Sequence, residues 1–292
     1  MSNRTITPDA LDDVINASHV LKTPQTTNPS FKLAFQDSDF LLREELRPVR
    51  FQLELLKPDI ILKEAGIEST FVFYGSARIP SPEQADEMLQ TAKDEKAKKM
   101  AQSLADKSRY YTEARKLARI VSEIPQPDPQ KRHLVVCSGG GPSIMEAANR
   151  GAHDVGAPSI GFGIVLPFET APNPYITPDL SFQFHYFALR KTHLMLRARA
   201  FAIFPGGFGT LDEVFELLTL IHTHRLEAVP ILFYGREFWN KIINFDALVE
   251  EGMISAEDLR FFQFVDTAEE GWAVICDFWQ HDKTGRVPID FE

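Results

Sequence analysis

Cysteine is almost absent from this 292-residue chain, which holds only Cys137 and Cys276. Two thiols cannot build a disulfide framework, and no grouping of His, Cys and carboxylates has ligand spacing, so no metal is expected. Long apolar runs are missing too: none reaches the roughly 20 residues that span a bilayer, and the N-terminal Met-Ser-Asn-Arg-Thr has no apolar signal core. A cytoplasmic protein without a membrane partner is the expectation. Positive charge is scarce, with 31 Lys and Arg against 41 Asp and Glu, a net charge of −10. That balance argues against nucleic acid or an anionic surface as the main partner and in favour of a small ligand. No internal repeat or low-complexity tract is visible, and the 44% hydrophobic content suffices for a large core.

What is present centres on one stretch. The apolar run Ala200-Phe-Ala-Ile-Phe204 predicts a buried strand stopped by Pro205. Gly206, Gly207, Phe208 and Gly209 then make a loop, and Thr210 opens a helix with Leu211, Val214, Phe215 and Leu218 on one face. Glycine lets backbone N–H groups approach a ligand, and the first N–H groups of a helix are unpaired at its positive end, so the unit reads as a cup for a phosphoester. The spacing of Thr210 and Glu213 fits a capping box equally well. Between Leu180 and Leu211 there is no Asp or Glu, while His185, Arg190, Lys191, His193, Arg197 and Arg199 all occur. Arg190, His193 and Arg197 share a helix face at three-and-four spacing, and that face is expected to look towards the cup.

The rest of the chain alternates strands and helices. Residues 1–69 read as a helical extension, packed on the core or on a partner subunit, with a helix start at Thr7, Pro8 and Asp9, a linker over 22–30, and a helix from Ser38 that Pro48 breaks or kinks. Residues 70–292 read as one domain. Its first strand, 71–74, runs into Gly75, Ser76, Ala77 and Arg78. Ser76 is a candidate ligand contact or a cap, and Arg78 a ligand contact or a surface ion pair. A charged helical insertion covers 83–107, and a helix over 109–122 turns Tyr111, Ala114, Ala118 and Val121 to the sheet. The strand 133–137 leads to a second glycine loop, Ser138, Gly139, Gly140 and Gly141, with Pro142, Ser143 and Glu146 placed to start or cap a helix. Cys137 reads as a small buried hydrophobe. A strand over 158–165, a Pro-rich loop over 166–175 that covers the site, and a strand over 182–187 follow. Beyond the cup come a strand over 229–234, a helix over 236–250, a strand over 261–265 and a helix over 269–279. This order predicts an α/β fold, a doubly wound parallel sheet of Rossmann-like type with a helical N-terminal extension.

These residues resemble the LOG-like proteins, cytokinin riboside 5′-monophosphate phosphoribohydrolases often labelled "possible lysine decarboxylase". The family pattern Pro-Gly-Gly-x-Gly-Thr-x-x-Glu matches Pro205 to Glu213, and its upstream Arg-Lys pair matches Arg190 and Lys191. Ser76 and Arg78 with their neighbours, the 138–141 loop with Met145, and Tyr110, Tyr111 and Leu117 also match, so the resemblance covers roughly 70–280. It implies hydrolysis of the N-glycosidic bond of a nucleoside 5′-monophosphate to free base and ribose 5-phosphate. It places catalysis on Arg190 and Glu213 and phosphate binding on Gly206, Gly207, Phe208, Gly209 and Thr210. Ser76, Arg78, Gly139, Gly140, Gly141 and Lys191 complete the expected substrate contacts. No cofactor is implied, and a homo-oligomer is. The physical logic agrees: bond cleavage builds positive charge on the ribose, which a carboxylate stabilises or relieves by activating water. Arg190 stays protonated and orients Glu213 and the nucleotide. Where family members often carry His-Glu, this chain has Ala188 and Leu189, so a preference for cytokinin nucleotides over AMP or another monophosphate does not follow.

Three rivals remain. A pyridoxal-phosphate decarboxylase would use Lys191 as its Schiff base, but no Asp partner for the pyridine nitrogen is evident. A non-catalytic nucleotide or molybdenum-cofactor carrier would bind without turnover. An NAD-dependent oxidoreductase is disfavoured because neither glycine loop has Gly-x-Gly-x-x-Gly spacing.

Overall fold

The computed structural model describes residues 9–167, 171–282, 284–289 and 291. Thr7 and Pro8 of the first expected helix start, and 168–170 of the Pro-rich loop, lie outside them. The chain divides into two compact units, Met1–Leu56 and Lys57–Glu292.

The first unit contains α1 (Ala10–Ser18), capped by the Asp9 side chain, α2 (Ser38–Leu41), and the first turns of α3 (Arg47–Glu64). Pro48 sits in the first turn of α3, where its missing N–H costs no hydrogen bond; it begins a helix where a break was expected. Arg50 closes the α2–α3 connection by donating through Nη1 to the carbonyls of Leu41 (2.8 Å) and Arg43 (2.6 Å).

The second unit is organised by a seven-stranded, all-parallel sheet. Its strands are β1 (Thr70–Tyr74), β2 (Val135–Ser138), β3 (Ser159–Ile164), β4 (Ser181–Phe184), β5 (Ala198–Ile203), β6 (Ile231–Tyr234) and β7 (Gln263–Val265), in the order β4-β3-β2-β1-β5-β6-β7. The chain builds outward from β1 to β4, then returns to place β5 against β1, with Phe71 opposite Ala200 and Tyr74 opposite Ile203. All five β1 residues are buried, as a continuous apolar strand covered on both faces should be. Phe204 stacks on Tyr234 at 4.2 Å between centroids and lies parallel to Phe73, so the aromatic core runs up to the ends of the central strands.

Helices α4 (Pro82–Thr91), α5 (Glu95–Ala105) and α6 (Ser108–Ser122) join β1 to β2. The expected single insertion helix is two, because Asp94 leaves helical geometry and caps α5 through Ala97 N–H. α7 (Ile144–His153) crosses α6 closely: a Cβ on Gly151 would overlap the Arg115 carbonyl. α8 (Phe187–Leu196) precedes β5, and α9 (Phe208–His222) follows it. α9 buries Val214, Leu217 and Ile221, whereas Phe215, expected on the inner face, stays exposed. The helix expected over 236–250 is also two, α10 (Arg236–Ile242) and α11 (Phe245–Glu250), the second capped by Asn244. α12 (Ala268–Gln280) begins with a Thr267–Glu270 capping box. Among the described residues, no helix is long and apolar enough to cross a membrane, and no group of three His, Cys, Asp or Glu side chains could hold a metal ion.

Candidate functional site

The strand order reverses between β1 and β5, and in an open α/β sheet the crevice outside the carboxyl ends of such strands is where ligands bind. A cleft of about 680 Å³ opens there, lined from the β1 loop by Ser76 and Arg78, from the β2 loop by Gly139 and Gly141, and from the β5 loop and α9 by Gly206, Gly207, Phe208, Gly209, Thr210 and Glu213. Arg190 of α8 completes its polar wall. The loops are stapled to each other: Ser76 N–H donates to the Pro205 carbonyl (3.1 Å), and Ile144 N–H donates to the Ser76 carbonyl (3.3 Å).

The helix start differs from the one expected. Gly207 is the N-cap of α9, and Leu211 N–H donates to its carbonyl (2.9 Å). The N–H groups of Phe208, Gly209 and Thr210 therefore precede the first intrahelical bond, at the positive end of a 15-residue helix. Thr210 is three residues into the helix and is not its cap; its side chain fills the space above Gly206, where a Cβ would overlap it. A Cβ at Gly207 or at Gly209 would meet nothing within 4 Å. Those two positions are bare on the cleft side.

Glu213 makes no capping box. Its Oε1 accepts from Arg190 Nη1 at 3.1 Å, both side chains being nearly buried at 12% and 11% exposure. Arg190 is held from behind by donating through Nε to the Phe162 carbonyl of β3 at 2.7 Å. A Cβ on Gly139 would overlap Arg190 Nη2 and crowd Met145 Sδ, so the absence of a side chain there is what seats the guanidinium. Burial pushes the Glu213 carboxyl above the ordinary carboxylate range; the positive charge of Arg190 opposes the rise without cancelling it. Arg78 is exposed at the rim with no acidic partner among the described residues, and Ser76 Oγ accepts from its N–H at 2.9 Å.

Other expected residues lie elsewhere. Lys191 does not line the cleft. Its ammonium sits between Asp212 (3.0 Å) and Glu216 (2.9 Å) of α9. Burial works against its charge, but the contacts with the Glu216 and Asp212 carboxylates prevail and hold its pKa above the usual lysine value, the reverse of what a Schiff-base lysine needs. Gly140 is also outside the lining: it takes a left-handed φ of +75° in a buried turn against Gly161. The basic run divides. His193 packs buried against Phe162 and Phe184, and Arg197 ends α8 at the opposite edge of the sheet, paired with Asp59 at 2.6 Å. Ser143 caps nothing by its side chain; it donates through Oγ to the Ile79 carbonyl at 2.5 Å and holds φ +66°, ψ −123°. Glu146 accepts from Tyr111 Oη at 2.7 Å.

The cleft also has an apolar wall: Leu166, from the loop expected to cover the site, and Met145 line it together with Ile164, Phe187 and Ile242, which were not anticipated. Ala188 and Leu189 do not line the cleft, whereas Phe187 and Arg190, on either side of them in α8, do. Also missed were Asn149 and Asn173, buried amides that tie the β2 loop to its surroundings. Asn149 could have been noticed as the polar member of an otherwise apolar α7 face with Ile144, Ala148 and Ala152.

Fold and site define a class: an all-parallel Rossmann-like protein with a helix N-terminus and an Arg–Glu pair facing one cleft at the sheet's switch point. The comparisons with known proteins return the family that the motif resembles. The family model described as "Possible lysine decarboxylase" matches residues 145–275, which include Arg190 and Glu213. A probable cytokinin riboside 5′-monophosphate phosphoribohydrolase of Oryza sativa subsp. japonica is 29% identical over 142 residues, 47% of this chain and 59% of that protein. A cytokinin riboside 5′-monophosphate phosphoribohydrolase of Arabidopsis thaliana is 29% identical over 140 residues, 47% of this chain and 63% of its own. The match thus spans less than two thirds of these relatives' length. Among solved structures, the molybdenum cofactor binding protein of Rippkaea orientalis is similar at a TM-score of 0.41 and 15% identity, covering 72% of this chain and 98% of that one. The Moco carrier protein of Chlamydomonas reinhardtii gives 0.43 and 13%, with 73% and 98% covered. Likeness of that degree says nothing of what this chain binds.

Proposed function

We propose that this chain hydrolyses the N-glycosidic bond of a nucleoside 5′-monophosphate, releasing free base and ribose 5-phosphate. The observation that carries the reading is the nearly buried Arg190–Glu213 pair lining the same cleft as the bare N-terminus of α9. The phosphate is received by the N–H groups of Phe208, Gly209 and Thr210, where Gly207 and Gly209 leave room, and Arg78 adds a rim cation. Ribose then extends towards Glu213, one turn further along the helix.

In the step itself the bond between the anomeric carbon and the base nitrogen breaks, and its electron pair stays on the base, which takes up a proton from solvent, balanced by the one that Glu213 later returns to solvent. A water oxygen bonds to the anomeric carbon as Glu213 accepts the water's proton. Before transfer, the ionised carboxylate also faces the positive charge that builds on the ribose. Arg190 holds Glu213 and the nucleotide in place; always protonated, it is not the base. The curated relatives' names, phosphoribohydrolases of cytokinin riboside 5′-monophosphates, support the reaction class and leave the base open for this chain. The apolar wall of Met145, Leu166 and Phe187 suits the face of a base.

Glu213→Ala tests the assignment. The variant is expected to retain nucleotide binding and lose base release; turnover at the parent rate would remove Glu213 from the chemistry. If parent and variant both bind nucleotides and neither releases base, the chain is a carrier.

A further inference from the structure

A continuous buried hydrogen-bond network underlies the β2 loop. Asn173 Nδ2 donates to the carbonyls of Gly140 (3.2 Å) and Gly141 (3.1 Å) and to Asn149 Oδ1 (3.0 Å), and Asn173 N–H donates to the Gly140 carbonyl (2.9 Å). Asn149 Oδ1 also accepts from Ser138 Oγ (2.7 Å), whose oxygen accepts from Gly140 N–H (3.1 Å). Asn149 Nδ2 donates to Ser159 Oγ (3.0 Å) and to the Ile160 carbonyl (3.2 Å), tying the same cluster to β3. The carbonyls facing each Nδ2 fix both amide orientations. Ser138, Asn149 and Ser159 are fully or almost fully buried, and Asn173 is 7% exposed.

This network has a target. It fixes the 139–141 turn, whose Gly139 forms the wall against Arg190 Nη2, and it grips β3, whose Phe162 carbonyl accepts from Arg190 Nε. Both surfaces that seat the guanidinium are therefore fastened by the same two amides. The phosphate end of the cleft, on the β5 loop and α9, receives none of these bonds.

We infer that Asn173, together with Asn149 and Ser138, is a positioning residue for Arg190, setting the guanidinium against Glu213 by holding the 139–141 turn and β3 in one register. This rests on the proposed hydrolase reading for its kinetic consequence and on geometry alone for its structural one. Weakening the network displaces Arg190, so the chemical step slows while phosphate capture is kept. Glu213 also loses part of the positive charge that restrains its pKa. Among the described residues, titratable groups around the Arg190–Glu213 pair include Lys191 of α8, Asp212 and Glu216 of α9, Tyr74 of β1, Cys137 of β2 and, at the rim, Arg78. None of their side chains makes one of the network's hydrogen bonds.

The test uses full-length Asn173→Ala, with Ser138→Ala as the milder variant should the first not fold, each checked by its thermal transition. The expected result is a fall in kcat of about tenfold or more at a KM within about threefold of the parent, with the acid limb of the pH–rate profile moved to higher pH. A folded variant with unchanged kcat and acid limb would overturn the inference while leaving the hydrolase reading intact. A fall in apparent kcat no larger than the loss of folded protein, with KM and the limb unmoved, would also overturn it by reducing the network to general stability. If the parent releases no base, the hydrolase reading fails separately. The inference is then decided by titrating ¹³C-labelled glutamate carboxyls, where the Glu213 resonance must titrate at higher pH in the variant than in the parent.

Discussion

Gly139 and Arg190 are complementary: the guanidinium lies where a side chain on residue 139 would be, with Met145 Sδ on the other side of the same space. One consequence is that Gly139→Ala displaces Arg190 from Glu213 without touching either residue. We expect base release to fall roughly 10²-fold, the scale of a misplacement of about 1 Å, at a modest cost in stability because the clashing atoms end flexible side chains. Parallel kcat and urea-unfolding measurements check it; full activity would show that Arg190 needs no such seat.

The three glycines of the cup differ in what they face, which separates folding from binding. Gly206→Ala collides with the Thr210 side chain and is expected to cost about 1–3 kcal/mol of stability. Gly207→Ala meets nothing, and Gly209→Ala also meets nothing while gaining up to about 1 kcal/mol of helix propensity. Gly209→Ala should fold as well as the parent and Gly207→Ala, which puts alanine at the N-cap, should lose about 1 kcal/mol at most; both should raise KM for a monophosphate about tenfold or more, since both positions line the cleft. Thermal melts beside KM values decide it.

The raised Glu213 pKa has a sign for activity and another for stability. If Glu213 is the base, kcat/KM falls as pH drops through its pKa in the free protein, so the acid limb of kcat/KM lies above the ordinary carboxylate range near 4.3. For stability, between the unfolded and the raised folded pKa the native state holds a proton that the unfolded chain has released. This contribution therefore declines as pH rises through that window and is constant above it. A pH–rate profile with its acid limb at or below about 4.3 would contradict the placement.

Ser143 holds a backbone conformation, φ +66° and ψ −123°, that glycine adopts without strain, while its hydroxyl secures the Ile79 carbonyl. Ser143→Gly trades a bond worth about 1 kcal/mol for relief of about 1–3 kcal/mol, and Ser143→Ala loses the bond and keeps the strain. Chemical denaturation should rank Gly equal to or above Ser, and Ala below both.

The sheet was legible because its central strands are apolar runs, such as Phe71–Tyr74, punctuated by glycine loops, and β-α alternation leaves few arrangements. Arg190 and Glu213 were legible through the family pattern, and with them the expectation that Arg190 orients Glu213; spacing alone offered a capping box instead, and the fold brings together two residues 23 positions apart. Helix ends misled where one short side chain outcompeted a long helical pattern, as Asp94 does between α4 and α5 and Asn244 before α11. Lys191 shows the limit of adjacency, because neighbouring residues on a helix point about 100° apart, and it meets Asp212 and Glu216 where Arg190 meets the cleft. Asn173 stayed hidden because it bonds mainly to the Gly140 and Gly141 carbonyls, which carry no sequence signal, and Asn149 because its partners Ser138, Ser159 and Asn173 are brought to it only by the fold.

The most direct test of the central claim is base release from a panel of nucleoside 5′-monophosphates, with the matching nucleosides and lysine as controls. The account predicts free base and ribose 5-phosphate from one or more monophosphates, none from nucleosides lacking the phosphate, and no carbon dioxide from lysine. Equal release from nucleosides, or none from any monophosphate at saturating concentration, would contradict it.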